Sequence, residues 1–121
     1  MKQSIKDMEN HEIFQRAYAA GMSALEQCTP KPMIVQDTYN NREYYVADGA
    51  CGFAWVRIKG NTAFARTMKK YGFFRKAWDK GYEFWVSEGD QSIGKKEAFA
   101  VAFAKVLKDN GIDAYASSRL D

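Results

Sequence analysis

The chain has 121 residues, 46% of them hydrophobic and 27% charged, which suits one domain with its own core and excludes an unfolded polyelectrolyte. The net charge of +3 is modest but concentrated: residues 66–85 hold six basic and two acidic side chains, and the remainder is close to neutral. No window approaches roughly 18 unbroken apolar residues and Met1 leads into polar sequence, so neither membrane spanning nor export is expected. Cys28 and Cys51 stand in no metal-ligand spacing and are expected as reduced, buried thiols.

In chain order, residues 1–10 are polar and aperiodic and are expected to fray. Asn10 is a candidate cap for a helix whose apolar positions Phe14, Ala17, Tyr18, Gly21 and Leu25 share one face and which ends before Pro30. A short strand over 33–35 and a polar loop over 37–42 follow. Strands over 44–46 and 51–59 flank Asp48-Gly49, a pair that tolerates the backbone angles of a tight hairpin turn. Along the second strand Ala54, Val56 and Ile58 alternate with Phe53, Trp55, Arg57 and Lys59.

Gly60-Asn61-Thr62 reads as a turn and cap for a short helix with Phe64, Ala65 and Met68 on its buried stripe and Gly72 as its stop. Residues 73–81 are ambiguous: Phe74 and Trp78 fit a helical turn, while Gly81 ends it. A strand over 82–87 precedes the clearest helix, opened by Ser92, carrying Phe99, Ala102, Phe103, Val106 and Leu107, and closed by Asn110-Gly111. Residues 112–116 read as a last strand and 117–121 as a tail. With no linker or repeat, 1–121 is expected to be a single α+β domain. Its sheet is expected to be mixed, mainly antiparallel, of about four or five strands, with two long helices (N-terminal and 92–110) and one short helix packed on one face.

The segments Cys51-Gly52-Phe53-Ala54-Trp55-Val56, Lys59-Gly60-Asn61-Thr62, Phe84-Trp85-Val86-Ser87, Gln91-Ser92, Lys96-Glu97-Ala98-Phe99-Ala100 and Gly111-Ile112-Asp113-Ala114-Tyr115-Ala116-Ser117-Ser118-Arg119 resemble a family of small proteins in bacteriophage and marine viral sequence. The resemblance runs from about Phe14 onward. It implies the cytoplasm of an infected bacterium as the place of action and carries over no functional residue.

Three groups of residues suggest chemistry. Gly89-Asp90-Gln91-Ser92-Ile93-Gly94-Lys95 matches the first seven positions of a phosphate-binding loop, in which backbone N–H groups and a lysine cradle the anion. Gly89, Ser92, Gly94 and Lys95 are its candidate contacts; Lys96 stands where a magnesium-binding hydroxyl belongs, and a helix cap at Ser92 yields the same pattern. Arg66, Lys69, Lys70, Arg75, Lys76 and Lys80 alternate with Tyr71, Phe73, Phe74, Trp78, Tyr82, Phe84 and Trp85, the pattern of a surface that tracks phosphates and stacks bases, although such aromatics also build cores. Arg57, Lys59, Phe53 and Trp55 could extend that surface, with Trp78 a further aromatic candidate. His11 has no second histidine, ligand cysteine or serine partner and reads as a surface residue.

The resulting expectation is a non-enzymatic binding protein without a cofactor or metal, oligomeric with itself, whose partner is a host or viral protein. Nucleic-acid binding through residues 66–85 and phosphate-ligand binding at 89–96 are the alternatives. Its physical motive is that helices covering Ala54, Val56 and Ile58 leave Phe53 and Trp55 in need of a cover.

Overall fold

A computed structural model describes residues 4–28, 33–37, 42–46, 52–77, 80–88 and 92–120, with side chains described outside 33–46. The elements are α1 (Ile5–Gln27), β1 (Met33–Asp37), β2 (Arg42–Val46), β3 (Gly52–Ile58), α2 (Ala63–Lys70), β4 (Arg75–Lys76), β5 (Tyr82–Trp85), α3 (Ile93–Asp109) and β6 (Ala114–Leu120). The main sheet has four strands in the order β4-β5-β3-β6, each pair antiparallel, and β1 with β2 forms a separate two-stranded sheet. This is an α+β fold in which α3 packs on β3 and β6, and α1 packs against α3 and α2. No described helix is long and apolar enough to cross a membrane.

The alternation on β3 decides which side the helices take. Ala54, Val56 and Ile58 are buried, while Phe53, Trp55 and Arg57 between them keep part of their surface. Beneath the helices the core is aromatic: the Phe103 ring lies 5.0 Å from Phe84, 5.6 Å from Phe14 and 6.0 Å from Phe99, centroid to centroid. Much of the 15% aromatic content is therefore spent on a core of stacked and edge-on rings. Gly21 lets α1 approach α3, because a Cβ there would lie 2.8 Å from the Phe99 ring.

The capping signals at Thr62 and Ser92 hold. Each side chain accepts the backbone N–H three residues on, from Ala65 and Lys95. Gly72 closes the turn after α2 with φ of 76°, a region that side chains with a Cβ disfavour.

Three local expectations are corrected, and one ambiguous segment is resolved. Helix α1 starts at Ile5, capped by Ser4, and Asn10 lies inside it, buried, donating from Nδ2 to Thr67 Oγ1 at 3.0 Å. The Thr67 hydroxyl reaches Asp7 at 2.9 Å, and Lys70 Nζ donates to the same carboxylate at 3.0 Å, so the first turns of α1 are clamped to α2 instead of fraying. The hairpin expected around Asp48-Gly49 does not join β2 to β3: β5 and β6 occupy both edges of β3, and β2 pairs with β1. The turn residues themselves lie outside the described residues. Arg75 and Lys76 form a strand paired with Glu83 and Tyr82 where a helical turn was possible, and Trp78 lies outside the described residues. The expected tail is strand as far as Leu120, because the whole length of β3 finds partners there, Gly52 opposite Leu120 and Ile58 opposite Ala114. Cys28 is free and half-buried, and Cys51 lies outside the described residues.

The Asp7 clamp has a pH signature. The Lys70 ammonium, and after it the Thr67 hydroxyl, hold the Asp7 carboxyl below its ordinary 3.8. A depressed folded-state pKa stabilises the fold above the unfolded value and loses that contribution as pH falls through the folded value. Asp7→Asn is therefore expected to melt below wild type at neutral pH, with the gap starting to close below about pH 4. Thermal melts across that range check it; a gap independent of pH would contradict the clamp.

Candidate nucleic-acid interface

The side of the sheet away from the helices gathers residues from all four strands. Strand β3 contributes Phe53, Trp55 and Arg57; the pairing register sets Trp85 beside Trp55, Glu83 beside Arg57, and Arg75 beside Glu83. On the other flank Arg119 lies opposite Phe53, Ser117 opposite Trp55 and Tyr115 opposite Arg57. An antiparallel sheet packed by helices on one face can keep solvent on the other, and here the described residues of that other face are aromatic and cationic, with Phe53, Trp55, Arg57 and Trp85 partly exposed.

Its parts are held in place by one another. The Trp55 and Trp85 rings stack at 4.8 Å and 25°, with Phe53 edge-on to Trp85 at 6.1 Å. The Arg75 guanidinium lies 5.0 Å from the Trp85 ring centre and that of Arg119 lies 5.4 Å from Phe53. Beneath them Glu83 is buried. It accepts from Trp85 Nε1 at 2.8 Å and pairs with Arg57 Nη2 at 3.5 Å and Arg75 Nε at 3.8 Å. Arg57 also donates to the Tyr115 hydroxyl at 3.5 Å. One carboxylate thus fixes two guanidiniums and an indole, and among the described residues the face brings three arginines together around it.

At one end the face opens into a cleft of about 780 Å³ lined by Arg57, Lys59, Lys76, Lys80, Tyr82 and Tyr115, among others. Lys59 pairs with Asp113 at 3.1 Å, both well exposed, while Lys76 and Lys80 extend into solvent. A smaller hollow of about 320 Å³ lies between α1 and Phe73 and is lined largely by apolar atoms of Phe14, Tyr18 and Phe73. His11 is half-buried there, its ring 5.2 Å from Phe73.

The basic aromatic stretch is therefore divided by the fold. Arg75, Lys76 and Lys80 join Phe53, Trp55, Arg57 and Lys59 at the face and its cleft. Arg66, Lys69 and Lys70 ride on α2, where Lys70 serves Asp7, Lys69 lies 5.9 Å from the Tyr82 ring and Arg66 is exposed. Phe74 is buried and Phe84 packs against the same core, whereas Tyr71 and Phe73 lie near His11.

Of the phosphate-loop residues, Gly89 and the two that follow lie outside the described residues. The Ser92 hydroxyl accepts the Lys95 N–H at 3.3 Å, occupying one of the donors an anion would use, and Gly94 and Lys95 are half-buried in the first turn of α3. Lys96 is buried, donating to the Gly52 carbonyl at 3.3 Å with its ammonium 5.6 Å from the Phe53 ring. Among the described residues no group of three or more His, Cys, Asp or Glu side chains is placed to hold a metal ion.

Sequence reading named Trp85 only among the aromatics of the basic stretch and did not single out Glu83, Tyr115 or Arg119 as site residues. The signal available was alternation within 82–85 and 114–120, which acquires meaning only once both segments are known to flank β3. Comparison with protein-family models, curated proteins and solved structures finds no match.

Proposed function

We propose that the protein is a non-enzymatic binding protein and that its helix-free sheet face takes single-stranded nucleic acid. The observation that carries this reading is the grouping of half-exposed Phe53, Trp55 and Trp85 with Arg57, Arg75 and Arg119 on one side of one sheet. Aromatic faces stack on any base, guanidiniums and lysines neutralise phosphates, and neither needs a base sequence. Bases in a duplex already stack on each other, so such a platform favours a single strand. Four strands about 4.8 Å apart span roughly 15 Å, room for a few nucleotides. The cleft continues the path with Lys76 and Lys80 for the next phosphates. In keeping with the resemblance to phage proteins, the proposed place of the encounter is the cytoplasm of an infected bacterium.

The test is anisotropy of a labelled oligothymidylate over a range of salt concentrations. Affinity is expected to fall steeply as salt rises, with a log–log slope near −0.7 for each phosphate neutralised. Lys76→Ala with Lys80→Ala is expected to flatten that slope by about 1.4, while Arg66→Ala, on α2, leaves it unchanged. Absence of binding at low salt would overturn the reading and return the face to a protein partner.

A further inference from the structure

We propose that two copies of the chain pair antiparallel along the outer edge of β6, centred on Ser117, to make one continuous eight-stranded sheet. This pairing does not depend on what the sheet face binds.

The two edges of the main sheet differ. At one end β4 is two residues long, too short to template another strand; at the other β6 offers seven residues, and no described strand pairs with its outer side. Exposed edges are ordinarily blunted by lysine, proline, a bulge or an inward-pointing charge. The β6 sequence Ala-Tyr-Ala-Ser-Ser-Arg-Leu has no lysine or proline, and its one charge, Arg119, is drawn over Phe53. Its register with β3 is unbroken from Ala114 to Leu120, so no bulge twists it away.

The edge is self-complementary. With Ser117 opposite Ser117, Tyr115 of each copy faces Arg119 of the other, Ala116 faces Ser118 and Ala114 faces Leu120. All seven residues pair, no like charges meet, and two ring-to-guanidinium contacts form on the helix-free side. Centring on Arg119 instead would set two cations face to face. Of the five exposed large apolar side chains among the described residues, Tyr115 (47% exposed) and Leu120 (65%) lie on β6 and Val101 (60%) on α3. Val101 lies one helical turn after Glu97, whose carboxylate accepts from the Ser118 hydroxyl, so it overhangs the free edge from above. A two-fold axis through Ser117 would bring the two Val101 flanks together and set the two helix-free faces side by side.

Sedimentation equilibrium at tens of micromolar is expected to give twice the 13.8 kDa of one chain. Mild oxidation of Ser117→Cys should cross-link the dimer through position 117, as mapped by peptide mass, while wild type does not cross-link there. Tyr115→Lys, which opposes a second cation to Arg119, should weaken association more than tenfold with its far-ultraviolet circular dichroism unchanged. A mass of one chain overturns the proposal. So does a dimer that Tyr115→Lys leaves intact and that shows no cross-link through position 117.

Discussion

Replacing Trp55 and Trp85 together by alanine is expected to lower affinity for oligothymidylate at least about fivefold while the helices and sheet survive. Each stacked base contributes roughly 1–3 kcal/mol, and since the two rings stack on each other as one shared platform, losing it removes about 1 kcal/mol at the least. The rings are only half-buried and lie on the side of the sheet away from the core, so the fold does not rest on them. Anisotropy gives the affinity, and a thermal melt of the same sample separates lost binding from lost structure. An affinity within twofold of wild type would mean that bases do not stack there.

The largest effect on stability is expected at Phe103. It is completely buried, with Phe14, Phe74, Phe84 and Phe99 around its ring. Phe103→Ala should cost about 3–5 kcal/mol, since neighbouring rings fixed on three other segments and on α3 itself cannot collapse into the space left. Against a total stability of about 5–15 kcal/mol that is a large fraction. Urea unfolding of Phe103→Ala beside Phe103→Leu, which keeps most of the volume, measures it. A loss below about 1 kcal/mol would move the core elsewhere.

What the sequence made legible was local. Thr62 and Ser92 are caps because their hydroxyls reach an N–H three residues away, and Ala54, Val56 and Ile58 share a face because a strand alternates. Pairing over distance was not legible. Asp48-Gly49 is compatible with a hairpin, but β3 takes its neighbours from residues 82–85 and 114–120, and a turn signal carries no information about that competition. The same holds at Asn10, a good capping residue by type, whose amide is used instead by Thr67, 57 positions away.

The site was half legible for a related reason. Composition located the cations within 66–85, but chain direction sorted them. Helix α2 turns Lys70 toward Asp7, and after the turn at Gly72 the extended chain brings Arg75 to Trp85. Glu83, which organises the face, is one of two acids in that stretch and shows no local sign of its role. Its importance comes from being opposite Arg57 in one register and opposite Arg75 in the next.

The most direct measurement is a titration of oligothymidylate into isotopically labelled protein, followed by the backbone amide and tryptophan indole resonances. Shifts are expected at the indoles of Trp55 and Trp85 and along β3, β5 and β6, with α1 and the solvent side of α3 unmoved. Shifts confined to α2 and the first turn of α3, with both indoles still, would contradict a binding surface on the helix-free face.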